Sequence, residues 1–283
     1  MLNYLDRTNS VRIPNLVKWA GGKGNLVDSL IPLIPEDFST YFEPFFGGGA
    51  LFWNLKANKK IHDAVISDSN PDLINLLNTI KREPEDLKLE VGKYSDFKDR
   101  DKYYKVRARF NEIKKEVNME VERAAMFLYL NRNCFNGLWR TNKKGEFNVP
   151  YGFSENFHLA TGSEIDIYSD LLTDTAIIYG DYSNAIKKCN EEDFVYFDPP
   201  YHTEFGFTQY NGDKFTITEQ IQLFKSFTQL SDKGIRLLQS NSNHPEILEL
   251  YSDYRIIKIE GRSVIGANSL RRGKKEEVII MNY

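Results

Sequence analysis

The chain has 283 residues, 41% of them hydrophobic and 27% charged, which suits one large soluble domain or one domain carrying a second as an insertion. No apolar run approaches the ~20 residues needed to span a membrane, and residues 1–15 lack the apolar core of a signal peptide. A formal net charge of −3 argues against wholesale polyanion binding, although a nucleic-acid groove needs only a local basic patch.

The first cluster along the chain is Lys18-Trp19-Ala20-Gly21-Gly22-Lys23. It fails the spacing of a phosphate-binding P-loop and has Gly24 where that loop needs a hydroxyl. It could hold the carboxylate and adenosyl ends of a cofactor, or be a surface loop with Trp19 in the core. Next come strand candidates at Tyr41–Pro44 and Ala64–Ser67, then at Ala176–Tyr179, Phe194–Phe197, Ile235–Ser240, Arg255–Ile259 and Val278–Met281. Their alternation with helix-patterned segments indicates an α/β sheet. Between the second and third candidates, residues 72–132 are charged and helix-patterned, with Leu73, Ile74, Leu76, Leu77 and Ile80 on one face. A gap this long reads as an inserted helical domain rather than a loop. Two basic stretches stand out, Arg132, Arg140, Lys143 and Lys144, then Arg262, Arg271, Arg272, Lys274 and Lys275. Either could be a DNA-facing patch or plain solvated surface.

Cys134 and Cys189 have no metal-ligand spacing, and His62, His158, His202 and His244 are scattered. Neither disulfides nor a metal are expected, which fits a reducing cytoplasm.

The first strand runs into Phe45-Phe46-Gly47-Gly48-Gly49, with a helix expected from Ala50. Glycines at such a turn let backbone approach a ligand closely. Asp68, at the end of the second strand, is placed to accept from both ribose hydroxyls of an adenosyl group. The G-x-G-x-x-G spacing of dinucleotide sites is absent, because Phe52 stands three beyond Gly49. S-adenosylmethionine, which has no pyrophosphate, is therefore the expected cofactor.

Asp198-Pro199-Pro200-Tyr201 follows the apolar strand Phe194–Phe197. A carboxylate, backbone carbonyls and an aromatic face at a strand end suit an aromatic exocyclic amine, such as N6 of adenine. A tight Pro-Pro turn with Tyr201 as packing is the plain alternative.

In the order of these three motifs the chain resembles the Dam (D12) class of DNA adenine-N6 methyltransferases. The likeness extends through Asn131-Arg132-Asn133-Cys134-Phe135-Asn136-Gly137-Leu138-Trp139-Arg140, Phe147–Gly152, Gly180-Asp181-Tyr182 and Arg272-Gly273-Lys274. It implies a Rossmann-like methyltransferase fold with a mostly parallel seven-stranded sheet. The catalytic domain would comprise residues 1–71 and 166–283, and a mainly helical target-recognition domain residues 72–165. Trp19, Lys23, Phe45, Gly47, Gly49, Asp68, Asp181 and Asp198 would line the cofactor site. Asp198, Pro199, Pro200 and Tyr201 would be catalytic. Arg140 would read guanine, with Phe135 as a wedge in the base stack and Asn136 and Leu138 beside it. Arg132, Arg272 and Lys274 would also face DNA. The expected activity is site-specific methylation of a flipped adenine in double-stranded DNA, with 5′-GATC-3′ the first choice. The protein would be a cytoplasmic monomer of bacterial, archaeal or phage origin, needing neither membrane nor metal. Competing readings are an RNA or amide methyltransferase, a non-catalytic DNA-binding relative and, more distantly, a dehydrogenase.

Overall fold

In the strand segments, successive side chains are buried on alternate sides, as strands covered on both faces require. The computed structural model describes residues 11–94, 99–116, 118–152, 158–201, 209–210, 213–262 and 274–283. Its strands are β1 (Tyr41–Glu43), β2 (Ala64–Asp68), β3 (Thr175–Tyr179), β4 (Phe194–Phe197), β5 (Gln209–Tyr210), β6 (Asp213–Lys214), β7 (Arg236–Ser242), β8 (Arg255–Arg262) and β9 (Lys274–Met281). Seven of them form one sheet in the order β3-β2-β1-β4-β7-β9-β8, and β5 and β6 pair separately. β9 runs antiparallel to both its neighbours, while the ladders joining β3, β2, β1, β4 and β7 are parallel. The sheet is thus the mostly parallel, Rossmann-like one expected, and all seven of its strands fall on the segments read from the sequence.

The helices are α1 (Val27–Leu30), α2 (Ala50–Ala57), α3 (Pro71–Arg82), α4 (Pro84–Gly92), α5 (Arg100–Glu112), α6 (Glu120–Asn133), α7 (Gly162–Leu171), α8 (Tyr182–Ile186), α9 (Ile217–Asp232) and α10 (Pro245–Leu250). Tyr41, Ile66, Phe194, Tyr196 and Leu238 point to one face of the sheet and join a core that continues through α2, α3 and α6. Phe42, Val65, Val195, Phe197 and Leu237 point to the other face, against α9 and α10. The helical region therefore shares its apolar core with one face of the sheet.

Local chemistry sets the helix ends. Asn70 caps α3 by accepting from the Asp72 and Leu73 N–H groups, and Pro71 occupies the first turn, where its missing donor costs nothing. Glu83-Pro84 ends α3 and starts α4. α6 is buried almost all round from Ala124 to Asn131, as a helix at the centre of a bundle must be. Arg123 on α6 pairs with Asp72 at 2.6 Å, donates to the Phe110 carbonyl at 2.6 Å and lies 3.9 Å from the centre of the Phe110 ring. That one guanidinium joins α3, α5 and α6 with its donors satisfied, the condition under which a buried charge is tolerated.

Candidate active site and recognition surface

β1 and β4 are neighbours, with Tyr41 opposite Phe194 and Phe42 opposite Val195. The chain leaves β1 toward β2 and leaves β4 toward β7, on opposite sides. A crevice opens beyond the C-terminal ends of strands at such a switch point.

On the β1 side the glycine loop is held by an acid. Asp68 accepts from the Gly47 N–H at 2.9 Å and from the Asn70 N–H at 2.8 Å. Burial raises the Asp68 carboxyl above its usual range, and the N–H bonds from Asn70, Gly47 and Ser69 oppose that rise. Gly47 has φ +49, and a Cβ there would lie 2.8 Å from the Trp19 ring. The position is reserved for glycine by both conformation and space. Gly49 caps α2, and Phe45 stacks on Tyr182 with ring centres 5.0 Å apart. Asp181, exposed after β3, caps α8 through the Ser183 N–H at 2.9 Å. Asn70, beside Asp68, is buried, and its Nδ2 has no hydrogen-bond partner among the described residues. A buried orphan donor next to a carboxylate fits a polar ligand such as a ribose.

On the β4 side four charged or aromatic groups meet. Lys23 Nζ lies 2.7 Å from Asp198 Oδ1, 2.7 Å from the Gly21 carbonyl it donates to, and 4.0 Å from Glu277 Oε2. It also sits 4.4 Å above the centre of the Tyr201 ring. The Tyr201 hydroxyl donates to Glu277 Oε2 at 2.5 Å. The Pro200 carbonyl accepts from Gln220 Nε2 at 3.0 Å, and Gln220 in turn accepts from Asn241. No hydrogen bond among the described residues takes the Pro199 carbonyl. Burial pushes Asp198 up to about 6; the Lys23 ammonium opposes this and the Glu277 charge adds to it. Glu43, at the end of β1, is buried and pushed up to about 8 by desolvation. Its partner is the Tyr41 hydroxyl at 2.7 Å, and the Asp198 charge raises it further.

Sequence reading placed Lys23, Asp198 and Tyr201 in the site, and the fold brings all three into contact. It did not single out Glu277, Gln220 or Asn70 as site residues. Their partners Tyr201 and Pro200 are 76 and 20 positions away, so no local spacing marks Glu277 or Gln220. The Asp-x-Asn step after β2 was the one available signal for Asn70.

The recognition candidates follow α6. Phe135 is 43% exposed, unusual for so large an apolar side chain. The Phe135 N–H is tied to the Pro150 carbonyl at 2.9 Å, and a Cβ on Gly152 would come within 2.5 Å of Phe135 Cα. Asn136 has φ +53, a conformation rare outside glycine that turns up at functional sites. Leu138 is half-buried and Arg140 exposed, the latter oriented by Asn148 Oδ1 at 2.9 Å from its Nε. Trp139, given no role from the sequence, is core: it lies between Phe127 and Phe147 with ring centres 4.0 and 4.2 Å away.

Arg132 points inward, donating to the carbonyls of Asn15 and Leu16. Its neighbour Asn131 clamps the Lys18 backbone from both sides, accepting its N–H at 2.7 Å and donating to its carbonyl at 2.8 Å. These bonds join the Lys18–Lys23 segment to the end of α6. Arg272 lies outside the described residues, and for Lys274 only its place at the start of β9 is described. Among the described residues no group of three or more His, Cys, Asp or Glu could hold a metal ion, and no helix is long and apolar enough to cross a membrane.

Comparison with known proteins shows the chain's family. The profile of the D12 class N6 adenine-specific DNA methyltransferase family matches residues 19–265. The Type II methyltransferase M1.LlaDCHI of Lactococcus lactis subsp. cremoris is 38% identical, covering 100% of this chain and 99% of its own length. The Type II methyltransferase M.MjaIII of Methanocaldococcus jannaschii is 34% identical over 96% of this chain and 100% of its own. A DNA adenine methylase of Vibrio cholerae is 30% identical over 94% of each. Similar proteins thus come from bacteria and an archaeon. With three motifs gathered around one crevice and these relatives spanning nearly all of it, the chain belongs to the D12 class of N6 adenine-specific DNA methyltransferases.

Proposed function

We propose that the protein transfers a methyl group from S-adenosylmethionine to N6 of an adenine turned out of duplex DNA, with 5′-GATC-3′ the preferred site. One observation carries the reading. The Lys23 ammonium sits against Asp198 and over Tyr201, so an amine is already held where the target amine would be held. A flipped adenine would displace it, placing its ring on Tyr201 and its N–H groups on Asp198 and the Pro199 carbonyl.

The cofactor residues fit an adenosyl group. Asp68 and Asn70 face the ribose position, Gly47 and Gly49 let the loop close tightly on the Trp19 and Phe46 rings, and Phe45 and Asp181 border the adenine side. Trp19 closes the loop from above. When bound, S-adenosylmethionine supplies an electrophilic methyl on sulfonium. The chain then acts on the amine. Asp198 and the Pro199 carbonyl fix the N–H bonds so that the nitrogen lone pair, otherwise delocalised into the ring, points at the methyl. As positive charge grows on nitrogen, the Asp198 carboxylate stabilises it from a largely buried position. Gln220 holds Pro200, and Glu277 holds Tyr201, keeping the turn rigid.

Residues 72–165 form the target-recognition part in this reading. Arg140 reads guanine O6 and N7 with its rigid donor fork, Phe135 fills the gap left by the extruded base, and Asn136 and Leu138 flank it. Arg132 is better assigned to holding the chain before Trp19, because its guanidinium is engaged there. Arg272 and Lys274 keep a DNA-facing role on the resemblance alone. Labelled-methyl transfer to duplexes carrying GATC or GTAC tests the reading. Incorporation confined to GATC supports it; equal incorporation into both overturns the sequence preference, and none into either overturns the activity as stated.

A further inference from the structure

The hairpin that carries Arg140 has an edge that no strand among the described residues covers. Its arms are joined by the Asn148 N–H to the Arg140 carbonyl and the Asn142 N–H to the Glu146 carbonyl, with Thr141 opposite Phe147. Thr141 and Phe147 are therefore a non-hydrogen-bonded pair, and both polar backbone groups of Phe147 and the carbonyls of Gly145 and Val149 are left outside the ladder, while the Gly145 N–H closes the turn on the Asn142 carbonyl at 2.8 Å. An exposed edge of this kind would be unsatisfied or mobile.

Side chains from α5 take that edge in order. The Tyr103 hydroxyl and Arg107 Nη1 donate to the Val149 carbonyl at 2.8 and 3.0 Å. Asn111 takes both polar groups of Phe147, accepting its N–H at 2.8 Å and donating to its carbonyl at 3.0 Å. Lys114, in the 3-10 turn after α5, donates to the Gly145 carbonyl at 2.8 Å. One helical turn advances about 5.4 Å and two strand residues about 6.7 Å, close enough for three successive turns to meet three successive edge positions. Phe147 and Val149 bury their side chains behind this ladder, while Arg140 stays exposed in front.

We infer that α5 substitutes for a missing strand, and that Asn111 is a positioning residue for sequence discrimination: it fixes the register and tilt of the hairpin from which Arg140 reads DNA, without touching DNA itself. The inference rests on the reading of Arg140 proposed above. Discrimination is then a property of the hairpin's backbone setting as well as of the arginine.

The test compares kcat/KM for duplexes with guanine or another base 5′ to the target adenine, in wild type, Asn111→Ala, Lys114→Met, Arg140→Ala and the double variant Asn111→Ala/Arg140→Ala. Losing two hydrogen bonds should cut the discrimination ratio about 5- to 10-fold in Asn111→Ala, through KM for DNA, with kcat on the preferred duplex kept within about twofold. Lys114→Met should show a smaller fall in the same direction. The Asn111 change should lower the ratio in the wild-type background and alter it no further in the Arg140→Ala background, whereas a merely destabilising substitution would lower activity on both duplexes alike and leave the ratio unchanged in either. If Asn111→Ala melts below the assay temperature, Lys114→Met, exposed and so structurally mild, decides by the same ratio. Full discrimination in Arg140→Ala overturns the reading beneath the inference. Loss in Arg140→Ala with full discrimination in the α5 variants overturns the inference alone.

Discussion

The crevice beyond β1 and β4 and the hairpin at 140–148 use charge in opposite ways. In the crevice Lys23 is 6% and Asp198 18% exposed at the side chain, and each is the other's partner. On the hairpin Arg140 is exposed and, among the described residues, bonded only through its Nε to Asn148, leaving the outer end of the guanidinium to the solvent side. The difference suits the two tasks proposed for these regions. Stabilising a charge that appears during reaction needs a desolvated acceptor fixed beforehand, because water would weaken it. Reading a base edge needs a donor that is rigidly held at its root and uncommitted at its tip. The first region stores its charge against itself until a substrate arrives; the second keeps its charge available.

The contrast can be broken at several points. Arg140→Ala should cost about 1–3 kcal/mol of discrimination at the neighbouring base while leaving affinity for S-adenosylmethionine unchanged. Competition between duplexes measures this, and an unchanged preference would remove Arg140 from the reading. In the crevice, Asp198 must be ionised to accept the amine. Because burial raises it to about 6, kcat/KM should fall as pH drops through that value in the free enzyme. The Lys23 ammonium lowers that pKa, so Lys23→Met should move the acid limb to higher pH; a limb that stayed in place would contradict the coupling.

Glu43 is read through stability. Its carboxyl is raised from the ordinary 4.5 to about 8, so the folded state holds a proton that the unfolded chain releases between those values. Wild-type stability is therefore penalised progressively as pH rises from about 4.5 to about 8. Glu43→Gln should melt higher than wild type at pH 8 and lose that advantage toward pH 5. An advantage that did not depend on pH would show that Glu43 is not the buried titrating group.

Much of this was legible in the sequence because it is local. Each strand of the large sheet announced itself as an apolar run, and Gly47, Asp68 and Asp198 sit at strand ends where chemistry gathers. Phe135 and Arg140 are exposed where the resemblance expected contact. What could not be read depends on approach between distant segments. Nothing near Glu277 shows that it will bind the Tyr201 hydroxyl, and nothing in the sequence around Arg132 shows that the carbonyls of Asn15 and Leu16 lie within its reach. Asn111 looks like one more polar residue on a charged helix until the edge of Phe147 is placed against it. The boundary of the helical region was equally hidden: α3 opens at Pro71 but packs on β2 and β3 as a crossover helix does, within the same core as the sheet.

The most direct test of the central claim is to identify the methylated base. A duplex labelled by the wild-type enzyme and by Asp198→Ala is digested to nucleosides, with binding of S-adenosylmethionine measured in parallel. The account predicts N6-methyladenine from wild type, and a loss of at least about 100-fold in the variant despite retained cofactor binding. Near-equal N6-methyladenine from both proteins would contradict it.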